Sequence, residues 1–245
     1  MLDEYTLITG ASSGIGATVA MRLAEERSVI LNGRDVARLE ATAAACRHHG
    51  HDVVLFPYDL EDVEGLPAAL AGLLMERRVC AFIHCAGKTE LLPINKSKFS
   101  VGLSVMKVNY FSAAEIISTL CKRKINNGAL RRIVLLTSIA ATVGAPHQPH
   151  YCASKGALEA LRITLARDLA PTVTVNAIAP GSFRTPMWAT PLASMPEEKD
   201  WHPPTLLPPG SPDSVADAVH FLLSDEAAYL TGVLLPVNGG EHLYK

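Results

Sequence analysis

The chain has no pair of cysteines at redox or metal-ligand spacing. Cys46, Cys80, Cys85, Cys121 and Cys152 include no CxxC, and none stands with histidine in a zinc-like pattern. Five cysteines without a framework predict reduced thiols, an intracellular setting and no metal site. A bias of charge is missing too. Lysine and arginine number 22 against 24 acids, a net charge of −2, so there is no broad attraction for nucleic acid or an anionic membrane. The densest basic run, Lys122 to Lys124, reads as a solvated helix end. No apolar run approaches the roughly 18 residues of a membrane span. The first residues, MLDEYTLITG, carry acids where a signal peptide would carry bases. Together these absences predict a cytoplasmic protein with neither nucleic acid nor membrane as partner. Internal repeats and separating linkers are also lacking, so residues 1–245 are expected to form one domain.

What is present is a regular alternation. The runs TLIT, SVILN, DVVLF, VCAFIH, RIVLLTS and TVTVNAIA are apolar without strict alternation, which predicts strands buried on both faces. LLPVN supplies a last short one. Between them lie segments of helical period such as ATVAMRLAEE, VARLEATAAACRHH and VEGLPAALAGLLMER. Strand and helix in alternation predict an α/β fold: a single-domain, doubly wound, Rossmann-type parallel sheet of about seven strands, with helices on both faces. Residues 186–212 interrupt the rhythm. They are rich in proline, hold Trp188 and Trp201 with Met187 and Met195, and are expected to form a substrate-binding loop or lid. A surface excursion or subunit contact is the other reading of that segment.

Two stretches carry chemistry. TGASSGIG, Thr9 to Gly16, follows the first strand and opens a helix. Gly10, Gly14 and Gly16 allow a sharp turn and close approach of backbone to a pyrophosphate, whose charge would sit at the helix N-terminus. The spacing is GxxxGxG and not GxGxxG. The second strand ends in Gly33-Arg34-Asp35. An acid there would hold a ribose 2′-hydroxyl, but Gly33 fills that slot and Arg34 can pair with a 2′-phosphate. Asp35 falls late and reads as a helix cap. This favours NADP(H) over NAD(H). Further on, YCASK sets Tyr151 and Lys155 four residues apart, hence on one helix face. A free phenol has a pKa of about 10, and a nearby ammonium and a positive nicotinamide are expected to lower it.

TGASSGIG, Asp59-Leu60, His84-Cys85-Ala86-Gly87, Asn109, Ser138, YCASK and Pro180-Gly181 occur in an order and spacing that resemble the short-chain dehydrogenase/reductase family, over nearly the whole chain. The resemblance implies a carbonyl–alcohol oxidoreductase with Asn109, Ser138, Tyr151 and Lys155 as its catalytic group. Tyr151 would protonate the carbonyl oxygen, Lys155 would tune it and grip the nicotinamide ribose, and Ser138 would hold the substrate oxygen. Asn109 would anchor a water joining Lys155 to solvent. The cofactor would meet Gly10, Ser12, Ser13, Ile15, Gly16 and Arg34, then Asp59 at the adenine amino group with Leu60. Cys85, Ala86 and Gly87 would line it, with Tyr151 and Lys155, while Pro180, Gly181, Phe183 and Thr185 would wrap its nicotinamide and phosphate side.

The chain departs from the family pattern at His84 and Cys85, expected to matter for strand bracing, and at Ser13, where NADP(H)-preferring members often carry a base. The resemblance further implies a 3-oxoacyl-thioester substrate, small or on an acyl carrier, and a homo-oligomer, tetramer or dimer. A sugar, polyketide or other ketone substrate stays open, as does a sugar-nucleotide epimerase or dehydratase. A cofactor-sensing or scaffold protein without turnover is the reading from another class. His147 and His150 are read as lining a pocket or turn, Cys152 as a partly buried helix residue, and Glu115 as facing solvent or a neighbouring subunit.

Overall fold

The computed structural model describes residues 4–183, 185, 205–208 and 210–243. Seven parallel strands form one sheet: β1 (Glu4–Thr9), β2 (Val29–Gly33), β3 (Val53–Pro57), β4 (Arg78–His84), β5 (Arg132–Leu136), β6 (Thr174–Pro180) and β7 (Leu234–Val237). Their order is β3-β2-β1-β4-β5-β6-β7. The chain winds outward from β1 in one direction, then returns to β4 and winds in the other. The crevice between the carboxyl ends of β1 and β4 is therefore the switch point where ligands bind in such sheets.

Helices cover both faces, as the alternation predicts. On one side lie α1 (Gly14–Ala24), α2 (Val36–Cys46) and α9 (Pro212–Leu223), whose Val19, Leu23, Leu39, Val215 and Val219 pack with Ile8, Leu31 and Ile83. On the other lie α3 (Leu66–Leu73), α5 (Ser112–Cys121) and α8 (Pro149–Asp168), whose Leu66, Leu70, Ile116, Leu120 and Leu158 pack with Leu7, Phe82 and Ile133. The shorter helices are α4 (Phe99–Met106), α6 (Arg123–Asn126) and α7 (Ala140–Val143). Fully burying a side chain of the Leu or Phe kind contributes about 1.5–3 kcal/mol, so these two layers supply most of the drive to fold.

The expectation that every strand is buried on both faces fails at the rims. Val54 and Leu55 in β3 are half-buried and Pro57 is exposed, while β7 has no fully buried residue. Both are edge strands, with a neighbour on one side only, and Pro236 is tolerated in β7 for that reason. The lid expected over residues 186–212 falls mainly outside the described residues. Among those described, no helix is long and apolar enough to cross a membrane, and no His, Cys, Asp or Glu cluster could hold a metal ion. The five cysteines are free.

Candidate active site

The phosphate end is shaped by side chains that are missing. After β1 the chain turns at Gly10, where φ is +67°, and again at Gly14, where φ is +55°. A Cβ at Gly10 would lie 2.7 Å from the Ala86 Cα, and one at Gly16 would lie 2.2 Å from the Gly10 carbonyl oxygen. The turn can therefore press against the Cys85–Gly87 segment only as glycine. Ser13 is the N-cap of α1 and its hydroxyl makes no capping bond, so the first amides of the helix stay free for an anion. These features fit a dinucleotide pyrophosphate.

At the end of β2, Gly33 is likewise confined: a Cβ would come within 3.1 Å of the Ser12 Cβ. An acidic side chain in that slot would crowd Ser12. Arg34 stands exposed beside it, and Asp35 caps α2 by accepting the Arg38 N–H, as expected. Arg38 also lines the cavity, its Nε 2.8 Å from Asp35 Oδ2. It was missed in the sequence, although a second base four residues after Arg34 was a readable signal.

The reacting end joins the buried Lys155 to the half-buried Ser138 and Tyr151. Ser138 follows β5, and Tyr151 and Lys155 stand on the inner face of α8. The Lys155 Nζ donates to the Leu136 carbonyl at 2.8 Å and lies 5.8 Å from the centre of the Tyr151 ring. Burial lowers the Lys155 pKa to about 8. The Tyr151 pKa is raised, first by burial, with hydrogen bonding to Ser138 acting the other way. The ammonium is turned toward the Leu136 carbonyl, and desolvation of the phenolate prevails.

Asn109 lies behind the site in a π-helical turn, Lys107–Phe111, and is fully buried. Its Nδ2 donates to the Lys88 carbonyl at 2.9 Å and to Ser154 Oγ at 2.8 Å, while its Oδ1 accepts the Lys88 N–H at 2.7 Å. The side chain therefore braces the segment after β4 against α8.

His84 does brace the strands. Its Nε2 lies 3.1 Å from the Asn109 carbonyl oxygen, which can only accept, so that nitrogen carries the proton. Nδ1 then accepts from the Thr9 hydroxyl at 2.9 Å, and Thr9 Oγ1 accepts the Ala86 N–H. Burial depresses the His84 pKa to about 3, and the nearby Lys155 charge adds to this.

One cavity of about 410 Å³ joins the two ends. Gly10, Ser12, Ser13, Ile15, Gly16, Arg34, Asp59, Leu60, Cys85, Ala86, Gly87, Ser138, Tyr151, Lys155, Pro180, Gly181, Phe183 and Thr185 all line it. Of the expected site residues only Asn109 stands outside. His150 is turned away toward Ser97 Oγ, at 2.7 Å, and Cys152 is partly buried. Glu241 lines the cavity unforeseen. Its carboxylate accepts from the Ser182 N–H and hydroxyl, both at 2.8 Å, and so ties the Pro180–Phe183 turn to the end of the chain. No local motif marked it, because its partner lies 59 residues away.

A family model described as enoyl-(acyl carrier protein) reductase matches residues 10–242. The chain is 31% identical to the 3-oxoacyl-[acyl-carrier-protein] reductase of Rickettsia bellii, over 97% of this chain and 96% of the relative. Among solved structures, a single-residue variant of actinorhodin polyketide ketoreductase with NADPH superposes with a TM-score of 0.88 at 27% identity, covering 99% of this chain and 98% of the other. Carveol dehydrogenase from Mycobacterium avium in complex with NAD gives 0.87 at 25%, covering 98% of each. The chain belongs to the short-chain dehydrogenase/reductase family. It is an oxidoreductase acting on CH–OH groups, of a fold that binds nicotinamide cofactors.

Proposed function

We propose that the chain is an NADP(H)-dependent reductase of 3-oxoacyl thioesters, small or carried on an acyl carrier protein. The observation that carries this reading is a single cavity lined at one end by Arg34 beside side-chain-free Gly33, and at the other by Ser138, Tyr151 and Lys155. The glycine turn and the free α1 amides would hold the pyrophosphate, Arg34 the 2′-phosphate, and Asp59 the adenine amino group. Pro180, Gly181, Phe183 and Thr185 would enclose the nicotinamide. When bound, the dihydronicotinamide supplies a hydride to the carbonyl carbon.

The chain's own groups do the rest. Ser138 donates a hydrogen bond to the substrate oxygen and fixes it beside the phenol. Tyr151 gives its proton to that oxygen, so hydride and proton together convert the ketone to a secondary alcohol. Burial favours the protonated phenol, which suits a donor in the reducing direction. Lys155, titrating near 8, can return a proton to the phenolate and hold the nicotinamide ribose. Reduction of a polyketide, sugar or other small ketone uses the same groups, and a non-catalytic NADP(H) sensor would use only the binding end.

Exposed apolar side chains support a homo-oligomer through the helices on one face. Phe99 is 83% exposed, and Leu103, Phe111 and Ile163 stand open beside α4, the π turn and α8. Light scattering showing a monomer at micromolar concentration would remove that part of the reading.

The direct experiment is loss of NADPH absorbance with an acetoacetyl thioester, with NADH in parallel. Rapid loss with NADPH alone is the expected result. Loss with NADH alone overturns the cofactor assignment and leaves the reaction standing. No loss with either, in protein that binds NADPH, removes the thioester and directs the search to a panel of ketones and sugars.

A further inference from the structure

The N-terminus of α8 lies two residues before Tyr151, and it is capped from elsewhere in the chain. Its N-cap residue, Gln148, makes no side-chain capping bond, and Pro149 at the first position has no N–H to offer. The next two amides, His150 and Tyr151, both donate to Oε1 of Glu90, at 2.7 and 3.3 Å. The following amide, Cys152, already returns to the Gln148 carbonyl. Glu90 therefore satisfies the two N–H groups that the helix leaves open, and its charge sits at the positive end of a 20-residue dipole.

Glu90 is only 7% exposed, and its second oxygen, Oε2, is buried without a hydrogen-bond partner. A carboxylate so placed is costly to keep. It stands three residues beyond Gly87, in the segment that ties the cofactor-lining turn to Asn109 through both Lys88 backbone bonds. Asn109 holds Ser154, whose hydroxyl donates to the Tyr151 carbonyl at 2.8 Å. The same segment holds the turn that leads into α8, where Leu92 N–H donates to the His147 carbonyl at 2.7 Å. The two backbone groups of Tyr151 are thus both held from residues 88–90, one directly by Glu90 and one through Asn109 and Ser154.

We propose that Glu90 is a positioning residue for proton transfer: by capping His150 and Tyr151 from the cofactor-lining segment, it sets the place of the Tyr151 phenol relative to the nicotinamide end of the cavity. This rests on the reading of Tyr151 as the proton donor. What matters is the acceptor oxygen and its reach, more than the negative charge.

Four variants separate these points: Glu90→Gln, Glu90→Asp, Glu90→Ala and Tyr151→Phe. Each is assayed with NADPH and the substrate that gives turnover in the panel above, with NADPH affinity read by its fluorescence. Glu90→Gln keeps the acceptor oxygen and is expected to hold kcat within about threefold of the parent. Glu90→Asp keeps the charge but is a methylene too short, and should lose about tenfold in kcat. Glu90→Ala should lose 10- to 100-fold in kcat, with NADPH affinity within about threefold. If Glu90→Ala folds poorly, the order of Gln above Asp still decides. Asp matching or exceeding Gln overturns the proposal, as does a kcat loss that merely follows a loss of NADPH affinity. Activity retained in Tyr151→Phe would instead defeat the underlying reading.

Discussion

The two ends of the cavity are built by opposite means. The phosphate end consists of places where a side chain has been left out: at Gly10 and Gly16 a Cβ would strike backbone, and at Gly33 it would crowd Ser12. The reacting end consists of polar side chains carried deep into the protein: His84 and Asn109 fully buried, Lys155 at 3% and Glu90 at 7% exposure. One end is made by close backbone packing, Gly10 against Ala86 and Gly33 against Ser12. The other is made by partners 19 to 75 residues apart, and burying polar groups is tolerable only because those partners are in place. A cradle for a pyrophosphate can rest largely on backbone. A proton-transfer site needs side chains whose titration the interior has altered.

The largest effect expected from that division comes from Tyr151→Phe. Loss of a positioned acid typically lowers kcat by about 10²- to 10⁴-fold. The cavity's phosphate end is untouched by the change, so NADPH affinity should stay within about threefold, as titration of the cofactor's fluorescence would show. A variant that binds NADPH normally and turns over within tenfold of the parent would mean that the phenol is not the donor. One that loses both would mean that the two ends are not separable in the way their construction suggests.

Next in size is a pH effect confined to the reacting end. His84 is held neutral, with its pKa depressed to about 3 from 6.5. Below pH 6.5 the unfolded chain takes up a proton that the folded chain refuses. Its contribution to stability is therefore complete above 6.5 and is lost as pH falls toward 3, by ~1.4 kcal/mol for each pH unit. The carboxylates with lowered pKa, such as Glu26, Glu61 and Asp62, begin to act only as pH falls below about 4.5. Glu159, raised by burial, takes up a proton in the folded chain above 4.5 and acts the other way, so the loss of stability from 6.5 to 4.5 belongs to His84. Thermal unfolding should fall steeply across it in the parent, and His84→Asn, which cannot titrate, should flatten that slope. An unchanged slope in the variant would assign the acid sensitivity elsewhere.

These two ends also differed in how far the sequence alone revealed them. The glycines of TGASSGIG declare themselves because few other reasons place three of them between a strand and a helix, and the structure supplies the contacts that require two of them. All seven strands are legible as apolar runs. The exposure of β3 and β7 is not, because it depends on strand order and not on composition. Tyr151, Lys155, Ser138 and Asn109 stand out through resemblance to a family, since Tyr and Lys four apart occur in many helices. Spacing shows that an ammonium is near Tyr151, but not that it is bound to the Leu136 carbonyl or that desolvation raises the phenol. Glu90 and Glu241 left no signal, each acting on a segment about 60 residues away.

The smallest expected effect tests the phosphate end. Arg34 is the exposed base that would meet a 2′-phosphate there, and charge-assisted bonds of its kind contribute about 1.5–3 kcal/mol. Arg34→Gln should weaken NADPH by about 10- to 100-fold and leave NADH within about threefold, because NADH has no 2′-phosphate to lose. Arg38 complicates the outcome in a useful way. It lines the same end of the cavity, but Asp35 holds its Nε at 2.8 Å, so a phosphate must compete with a carboxylate for it. Should Arg34→Gln cost NADPH less than threefold, the double change with Arg38→Gln distinguishes the causes. A large loss only in the double variant makes the two guanidiniums interchangeable. No loss in either returns discrimination to the backbone, and the phosphate end would then contain no specificity of charge at all.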